Sequence, residues 1–274
     1  SAVEDTDAAF VHAYDDVDII AGQGTLGAEM YHDRPDVDTV IVPIGGGGLI
    51  SGVSTAIKHL SPDTRVVGVQ ATGAETVHES LDKGIPVTLD EVDTIADGIA
   101  TGGISEATLR MIQANVDEVV TVSDTEIARA ILLVMERAKQ VVEGAGAAAV
   151  AALLSDDLDV AGERVMPLLC GGNLDMTQLQ TVLVHALTHR KQRIQLRVHI
   201  DDRPGKMAEL SGIIAEQEAN IFDVRHDRGV EDLAVGDAYL VFTVETSGAE
   251  HAASIVDAIE ARGYTVADVT RDTP

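Results

Sequence analysis

Short apolar, β-branched runs alternate with stretches of helical spacing through the first two thirds of the chain, the pattern of a mostly parallel sheet covered by helices. Val37 to Ile44 reads as a buried strand running into Gly45-Gly46-Gly47-Gly48, after which Leu49 to Leu60 has helical spacing and stops at Ser61-Pro62-Asp63. Arg65 to Val69 and Val116 to Val122 read as further strands. Ser123 with Glu126 three residues later forms a capping box, which opens a helix expected to reach about Val142. An alanine-rich helix after Gly144-Ala145-Gly146 extends to Leu154, Val165 to Leu169 is a strand ending at Cys170-Gly171-Gly172-Asn173, and a helix spans Met176 to His189.

Near Arg190 to Arg193 the pattern changes, and the remainder reads strand, helix, strand, strand, helix, strand, a βαββαβ unit. Its strands are Ile194 to Ile200, Ile221 to His226, Tyr239 to Glu245 and Thr265 to Val269, with helices at Gly205 to Gln217 and Ala249 to Arg262. The boundary is placed near residue 192, giving domains 1–192 and 193–274. The expected fold class is α/β: a mostly parallel sheet with helices on both faces, followed by the smaller βαββαβ domain.

A length of 274 residues suits two domains, and 45% hydrophobic residues with 25 glycines exclude a disordered tail, a collagen and a disulfide scaffold. The formal charge of -27, from 46 acidic against 19 basic residues, argues against nucleic acid and anionic membranes as partners. The acids are dispersed and the basic set is 14 Arg to 5 Lys, which a salt-rich cytosol would explain, since molar salt shortens the Debye length to about 3 Å; a merely acidic, soluble protein is the other reading. Cys170 is the single cysteine, so no intrachain disulfide forms, and no apolar run reaches the roughly 18 residues of a membrane helix. Glu4, Asp5 and Asp7 stand where a secretory signal would be basic, so the chain reads as cytoplasmic.

Four glycines between a buried strand and a helix present backbone N–H groups at the positive end of a helix dipole, which suits a phosphate. A tight strand-to-helix turn that needs glycine for packing is the other reading. The loop fits neither common nucleotide motif: G-x-G-x-x-G read from Gly45 ends on Ile50 and from Gly46 on Ser51, and no G-K-[ST] follows. His185 and His189 are four apart on one helix without a third metal ligand, so they read as a polar face.

Ile20-Ala21-Gly22-Gln23-Gly24-Thr25, Val42-Pro43-Ile44-Gly45-Gly46-Gly47-Gly48-Leu49-Ile50-Ser51-Gly52, Ala96-Asp97-Gly98, Val142-Glu143-Gly144-Ala145-Gly146 and Cys170-Gly171-Gly172-Asn173, in this order, closely resemble the large domain of threonine ammonia-lyases (threonine dehydratases) and of their relatives, the serine dehydratases and serine racemases. The tail, with Asp202-Arg203-Pro204-Gly205 in its first turn, resembles an ACT domain. The resemblance implies a fold type II enzyme using pyridoxal 5'-phosphate, with Gly45, Gly46, Gly47 and Gly48 on the cofactor's phosphate, Cys170 facing its pyridine nitrogen, and Gly98 and Glu143 lining the pocket. A neutral thiol at that nitrogen leaves the ring a weaker electron sink than a carboxylate would, which suits elimination of water from a hydroxy amino acid.

The same resemblance implies threonine, or serine, as substrate and 2-oxobutanoate with ammonia as products. The family's Schiff-base lysine is absent: Lys58, Lys83, Lys139, Lys191 and Lys206 match none of its lysine motif, so the chain reads as the C-terminal portion of a longer enzyme, inactive alone. No catalytic residue is assigned within it. Relatives with a stimulatory divalent cation carry carboxylates where this chain has Gln70 and Thr76, so no metal is expected. In the tail, Pro204 suits a first helical position, the amides near Gly205 and Lys206 suit an amino-acid carboxylate, and Asn220 opens the next strand nearby. A branched-chain amino acid as effector and a homo-oligomer follow from the resemblance, while a tail that serves only as a dimer contact, or a chain that is a non-catalytic binding module, are the competing readings.

Overall fold

The computed structural model describes residues 10–230 and 233–270, so Glu4, Asp5 and Asp7 lie outside the described residues. The first sheet is built on β1 (Thr39–Pro43), whose five residues are all buried. It pairs in parallel with β2 (Arg65–Ala71) on one side and β4 (Val165–Pro167) on the other, and β3 (Glu118–Val122) adds in parallel to β2, giving the order β3-β2-β1-β4. A strand covered on both faces needs no polar alternation, which is why β1 and β2 read as continuous apolar runs. Val40, Val42 and Val66 pack with Ile50, Val53 and Ile57 of α2 (Gly48–Leu60). Ile41 points the opposite way, and α6 (Gly144–Leu154) lies against β1, β2 and β3.

Helix α1 (Val17–Asp33), which periodicity did not single out, begins at Asp16, whose carboxylate accepts from the amides of Asp18 and Ile19. It lies along α2 so closely that small residues are obligatory. A Cβ on Gly52 would stand 2.2 Å from the carbonyl oxygen of Ile20 and 2.6 Å from the amide nitrogen of Gly24. One on Gly27 would stand 2.8 Å from the carbonyl oxygen of Val53. Gln23 and Gly24 of the Gly22-Gln23-Gly24-Thr25 segment thus belong, with Gly27, to a helix-packing face, whereas Gly22 and Thr25 are exposed.

The structure also shortens one predicted helix. α5 (Asp124–Ala138) opens on the expected Ser123–Glu126 capping box but ends four residues before Val142, at Lys139 in the left-handed conformation (φ 58°). The chain then turns so that the Glu143 amide donates to the carbonyl of Gly171 (3.2 Å). Glu143 thus precedes α6 and does not close α5. Two helices without a clear periodic signal, α3 (Val77–Lys83) and α4 (Glu106–Asn115), complete this unit; α4 starts on a capping box of Ser105 with Thr108.

By its internal contacts the chain divides after Leu179, inside α7 (Met176–His189), earlier than the compositional change near 192. The second unit holds a sheet of order β6-β7-β5-β8, from β5 (Arg193–Asp201), β6 (Asn220–Asp227), β7 (Asp237–Glu245) and β8 (Val266–Asp268), all antiparallel to their neighbours. One face carries Ile194, Leu196, Val198 and Ile200 against Leu240, Phe242 and Val244, covered by Leu210, Ile213 and Ile214 of α8 (Lys206–Glu216) and by Ile255 and Ile259 of α9 (Ala249–Ala261). The βαββαβ order is the expected one. No helix among the described residues is long and apolar enough to cross a membrane.

The α1–α2 contact gives a paired prediction. Gly52→Ala should lower the stability of the first unit by about 1–3 kcal/mol, because backbone on both helices must give way. Gly22→Ala, exposed on α1 with nothing within 4 Å, should raise it by about 0.5–1 kcal/mol. Denaturant unfolding of both variants, followed by helical circular dichroism, checks the opposite signs.

Candidate functional site

The glycine loop leaves β1 at the carboxyl edge of the parallel sheet and enters α2 at Gly48, with Gly47 as the cap at φ 91°. The first hydrogen bond of the helix runs from the Ser51 amide to the carbonyl of Gly47 (3.0 Å). The amides of residues 45–50 therefore have no protein acceptor among the described residues, and Gly46, Gly47 and Gly48 are buried. Unpaired N–H groups inside a protein are costly, and this many in one turn at a helix N-terminus make a cradle for an anion. The Ser51 hydroxyl, fully buried in the same turn, also lacks a partner.

The opposite side of the loop is filled. A Cβ on Gly45 would stand 3.1 Å from Ile99 Cα, on Gly46 2.3 Å from the Tyr14 ring, on Gly47 2.8 Å from Thr108 Cβ and on Gly48 2.8 Å from Tyr14 Cβ. The packing reading of the loop holds on its Cα side, and on its amide side the N–H groups have no protein acceptor among the described residues. Residues packed there, Tyr14 and Thr108, carried no motif in the sequence. The one signal for Tyr14 was its being an aromatic residue in a chain with three Phe, four Tyr and no Trp.

The remaining predicted pocket residues assemble beside the loop. Gly98 sits on a 3-10 turn (Asp97–Ile99), and its carbonyl oxygen would be 3.5 Å from a Cβ on Gly45. The Glu143 carboxylate lies between Gly98 and Gly171: a Cβ on either would meet its Oε1, at 3.1 Å and 2.2 Å. Gly171 itself takes φ 134°, which reserves the position for glycine. Cys170 precedes it, half-buried against the β1–α2 core, and burial pushes its thiol above the usual range, so the sulfur is neutral at ordinary pH. Gly45 to Gly48, Gly98, Glu143 and Cys170 are brought to one place.

Gln70 and Thr76 form a closed arrangement of their own. The buried Gln70 amide donates to the carbonyl of Ala74 (3.1 Å) and the hydroxyl of Thr76 (3.4 Å), and its oxygen accepts from the amides of Thr76 (3.0 Å) and Val77 (2.8 Å). This one neutral side chain satisfies the turn and caps α3. His78 secures α3 to β3, bonding Glu75 (2.7 Å) and the Val119 carbonyl (2.9 Å), and the Glu75 carboxylate raises its pKa from 6.5.

In the second unit the predicted effector residues separate. Asn220 pairs with Glu245 in register with Arg193, whereas Pro204, Gly205 and Lys206 follow the far end of β5, roughly 26 Å away at 3.3 Å per residue. The expectation that Asn220 lies near the turn is corrected within this unit: β5 and β6 run parallel, so their starts share an end. Pro204 is corrected too. Gly205 takes φ 97° as the cap and α8 starts at Lys206, leaving Pro204 ahead of the helix. The Lys206 ammonium bonds Tyr264 Oη (2.7 Å) and Glu209 (3.1 Å), which raises its pKa.

None of the five lysines serves the glycine loop. Lys58 Nζ pairs with Asp117 (2.7 Å) ten residues along α2, roughly 15 Å from its start at 1.5 Å per residue. Lys83 bonds Glu79, Lys139 the carbonyl of Glu136, and Lys191 Asp268.

Residues 1–171 match the family described as pyridoxal-phosphate dependent enzyme. The chain is 41% identical to an L-threonine ammonia-lyase of Thermotoga maritima over 263 residues, covering 96% of this chain and 65% of that protein. Among solved structures, isoform 2 of threonine deaminase from Solanum lycopersicum, in its processed form, matches with a TM-score of 0.63 at 33% identity, over 68% of this chain and 55% of that one. A serine racemase from maize matches with a TM-score of 0.61 at 36% identity, over 65% of this chain and 57% of that one. The chain thus spans just under two thirds of the Thermotoga relative.

Gln70→Glu should destabilise the first unit by about 1–3 kcal/mol, because the donors to Ala74 and Thr76 are lost and a carboxylate faces a carbonyl. The His78 contribution should be complete below pH 6.5 and fade as pH rises through its higher folded-state value, the sign expected of a raised pKa. Unfolding at a series of pH values should show that slope in the parent and a flatter one in His78→Asn.

Proposed function

The chain belongs to the family of pyridoxal-phosphate-dependent enzymes, and we propose that it is the larger part of a threonine ammonia-lyase, which converts threonine to 2-oxobutanoate and ammonia. The observation that carries the cofactor's place is the buried turn with unpaired amides at residues 45–50. A phosphate dianion satisfies those donors and gains from the dipole of α2. Bound there, the cofactor supplies an electron sink that acidifies the Cα–H of an amino acid.

The chain's own residues then have separate tasks. Gly45 to Gly48 would hold the phosphate; Cys170, kept neutral by burial, would face the pyridine nitrogen without placing a charge there; Glu143 and Gly98 would wall the ring. The reaction needs a primary amine to carry the cofactor, and each lysine here is bonded elsewhere, which supports reading the amine as supplied from outside these residues. Threonine over serine rests on the Thermotoga relative, whose match extends through most of the second unit. Serine racemisation or dehydration is the second reading, favoured by the comparable fit of the maize serine racemase. The βαββαβ unit is read as an ACT-like regulatory domain for a branched-chain amino acid, in a homo-oligomeric, salt-adapted cytoplasmic enzyme.

Purified as 274 residues and supplied with pyridoxal phosphate, the chain should release no 2-oxobutanoate from threonine. The longer coding sequence carrying the upstream lysine should do so, with a higher kcat/KM for threonine than for serine. Turnover by the 274-residue chain would refute the divided-site reading, and racemisation without keto-acid release by the longer protein would favour the second one.

A further inference from the structure

We propose that Tyr14 is a positioning residue of the phosphate cradle: its side chain, packed against Gly46, holds the loop with its amides turned outward and free. The inference rests on the reading of residues 45–50 as the phosphate site and assigns a residue that no motif contains. A Cβ built on Gly46 would stand 2.3 Å from three atoms of the Tyr14 ring, Cγ, Cδ1 and Cε1. A Cβ on Gly48 would meet Tyr14 Cβ at 2.8 Å and Cα at 2.9 Å. One residue therefore lines two of the four glycines.

Tyr14 is fixed from outside the loop. His12 Nδ1 accepts from the amides of Asp15 (3.0 Å) and Tyr14 (3.4 Å), and the His12 ring stands edge-on to the Tyr14 ring with centroids 4.6 Å apart. Two residues later Asp16 caps α1, and α1 is locked to α2 through Gly24, Gly27 and Gly52. The helix pair thus carries Tyr14 back over the start of α2. A tetraglycine loop has more conformations to lose than any other four residues, and an aromatic wall that removes them beforehand lowers the entropy cost of binding. The phenol oxygen makes no hydrogen bond among the described residues, so the ring, not the hydroxyl, is the working part.

The test titrates the 274-residue chain with pyridoxamine 5'-phosphate and with pyridoxamine, neither of which needs a lysine, following ligand fluorescence, with circular dichroism of each variant as a fold control. The parent chain should prefer the phosphorylated probe. Tyr14→Ala should weaken that probe by on the order of tenfold and leave pyridoxamine unchanged, while Tyr14→Phe should match the parent. Gly46→Ala should weaken the phosphorylated probe further than Tyr14→Ala does, and adding Tyr14→Ala to it should bring binding back up to the Tyr14→Ala level, since the three clashing atoms are gone. Gly48→Ala should not be restored, because alanine at 14 keeps the Cα and Cβ it meets. A parent preference that Tyr14→Ala leaves intact, or a Gly46→Ala defect indifferent to residue 14, overturns the role of Tyr14 alone. A parent chain that does not distinguish the two probes overturns the phosphate reading and this proposal with it.

Discussion

Backbone donors without protein acceptors, inside a buried turn, are the constraint around which the first unit is arranged. Such a turn is stable only if its surroundings hold it on every side but one. β1 delivers the chain to the sheet's carboxyl edge, where the amide of Ile44 is still tied to the carbonyl of Val69 at 2.7 Å. One residue later the ladder ends and the unpaired amides begin. α2 contributes the last three of them through its own first turn, which no helix can satisfy internally. The site is thus a consequence of joining a parallel strand to a helix with no side chains in the joint.

Close approach then decides which residues surround it. Gly45 admits the Gly98 turn, Gly98 and Gly171 admit the Glu143 carboxylate, and Gly146 admits the carbonyl of Gly171, 2.7 Å from where its Cβ would be. These glycines come from four separate segments, and each is small because a neighbour occupies its Cβ position. Glu143 can enter only because α5 ends at Lys139 and the chain doubles back, so a helix terminus far from the loop sets the position of a carboxylate beside it.

The elements that organise the site were legible because their signals are local. β1 and β2 are dense β-branched runs, and the boundaries of α2 and α7 follow from spacing and flanking turns. What periodicity missed has a common cause. α1 presents glycines to α2 in place of a large apolar stripe, α4 is capped by Thr108 where the usual signal is Glu or Gln, and α5 stops on a lysine in a left-handed conformation that composition does not announce. Tyr14 is the sharpest case, since its role depends on a helix pair returning it to a loop more than thirty residues away in sequence. In the second unit the motif at the β5–α8 turn was readable, but the distance to Asn220 was not, because it depends on β5 and β6 running parallel on either side of β7.

Charge gives the site its last constraint. A chain of net charge -27 that took up a phosphate would work against its own field, and a lysine or arginine at the site would be the direct remedy. The turn at residues 45–50 offers backbone amides instead. Their dipoles act over one or two bond lengths, whereas repulsion from dispersed surface carboxylates acts over the Debye length, about 8 Å at 0.15 M salt and about 3 Å at 1 M. Screening therefore removes the unfavourable part and leaves the favourable part, since a desolvated N–H group in contact with an anion is little affected by bulk ions. Ion pairing would be screened together with the repulsion as salt rises, so its net gain would be smaller. An acidic surface is thus compatible with an anion site built on uncharged amides, and salt would favour the pairing of the two.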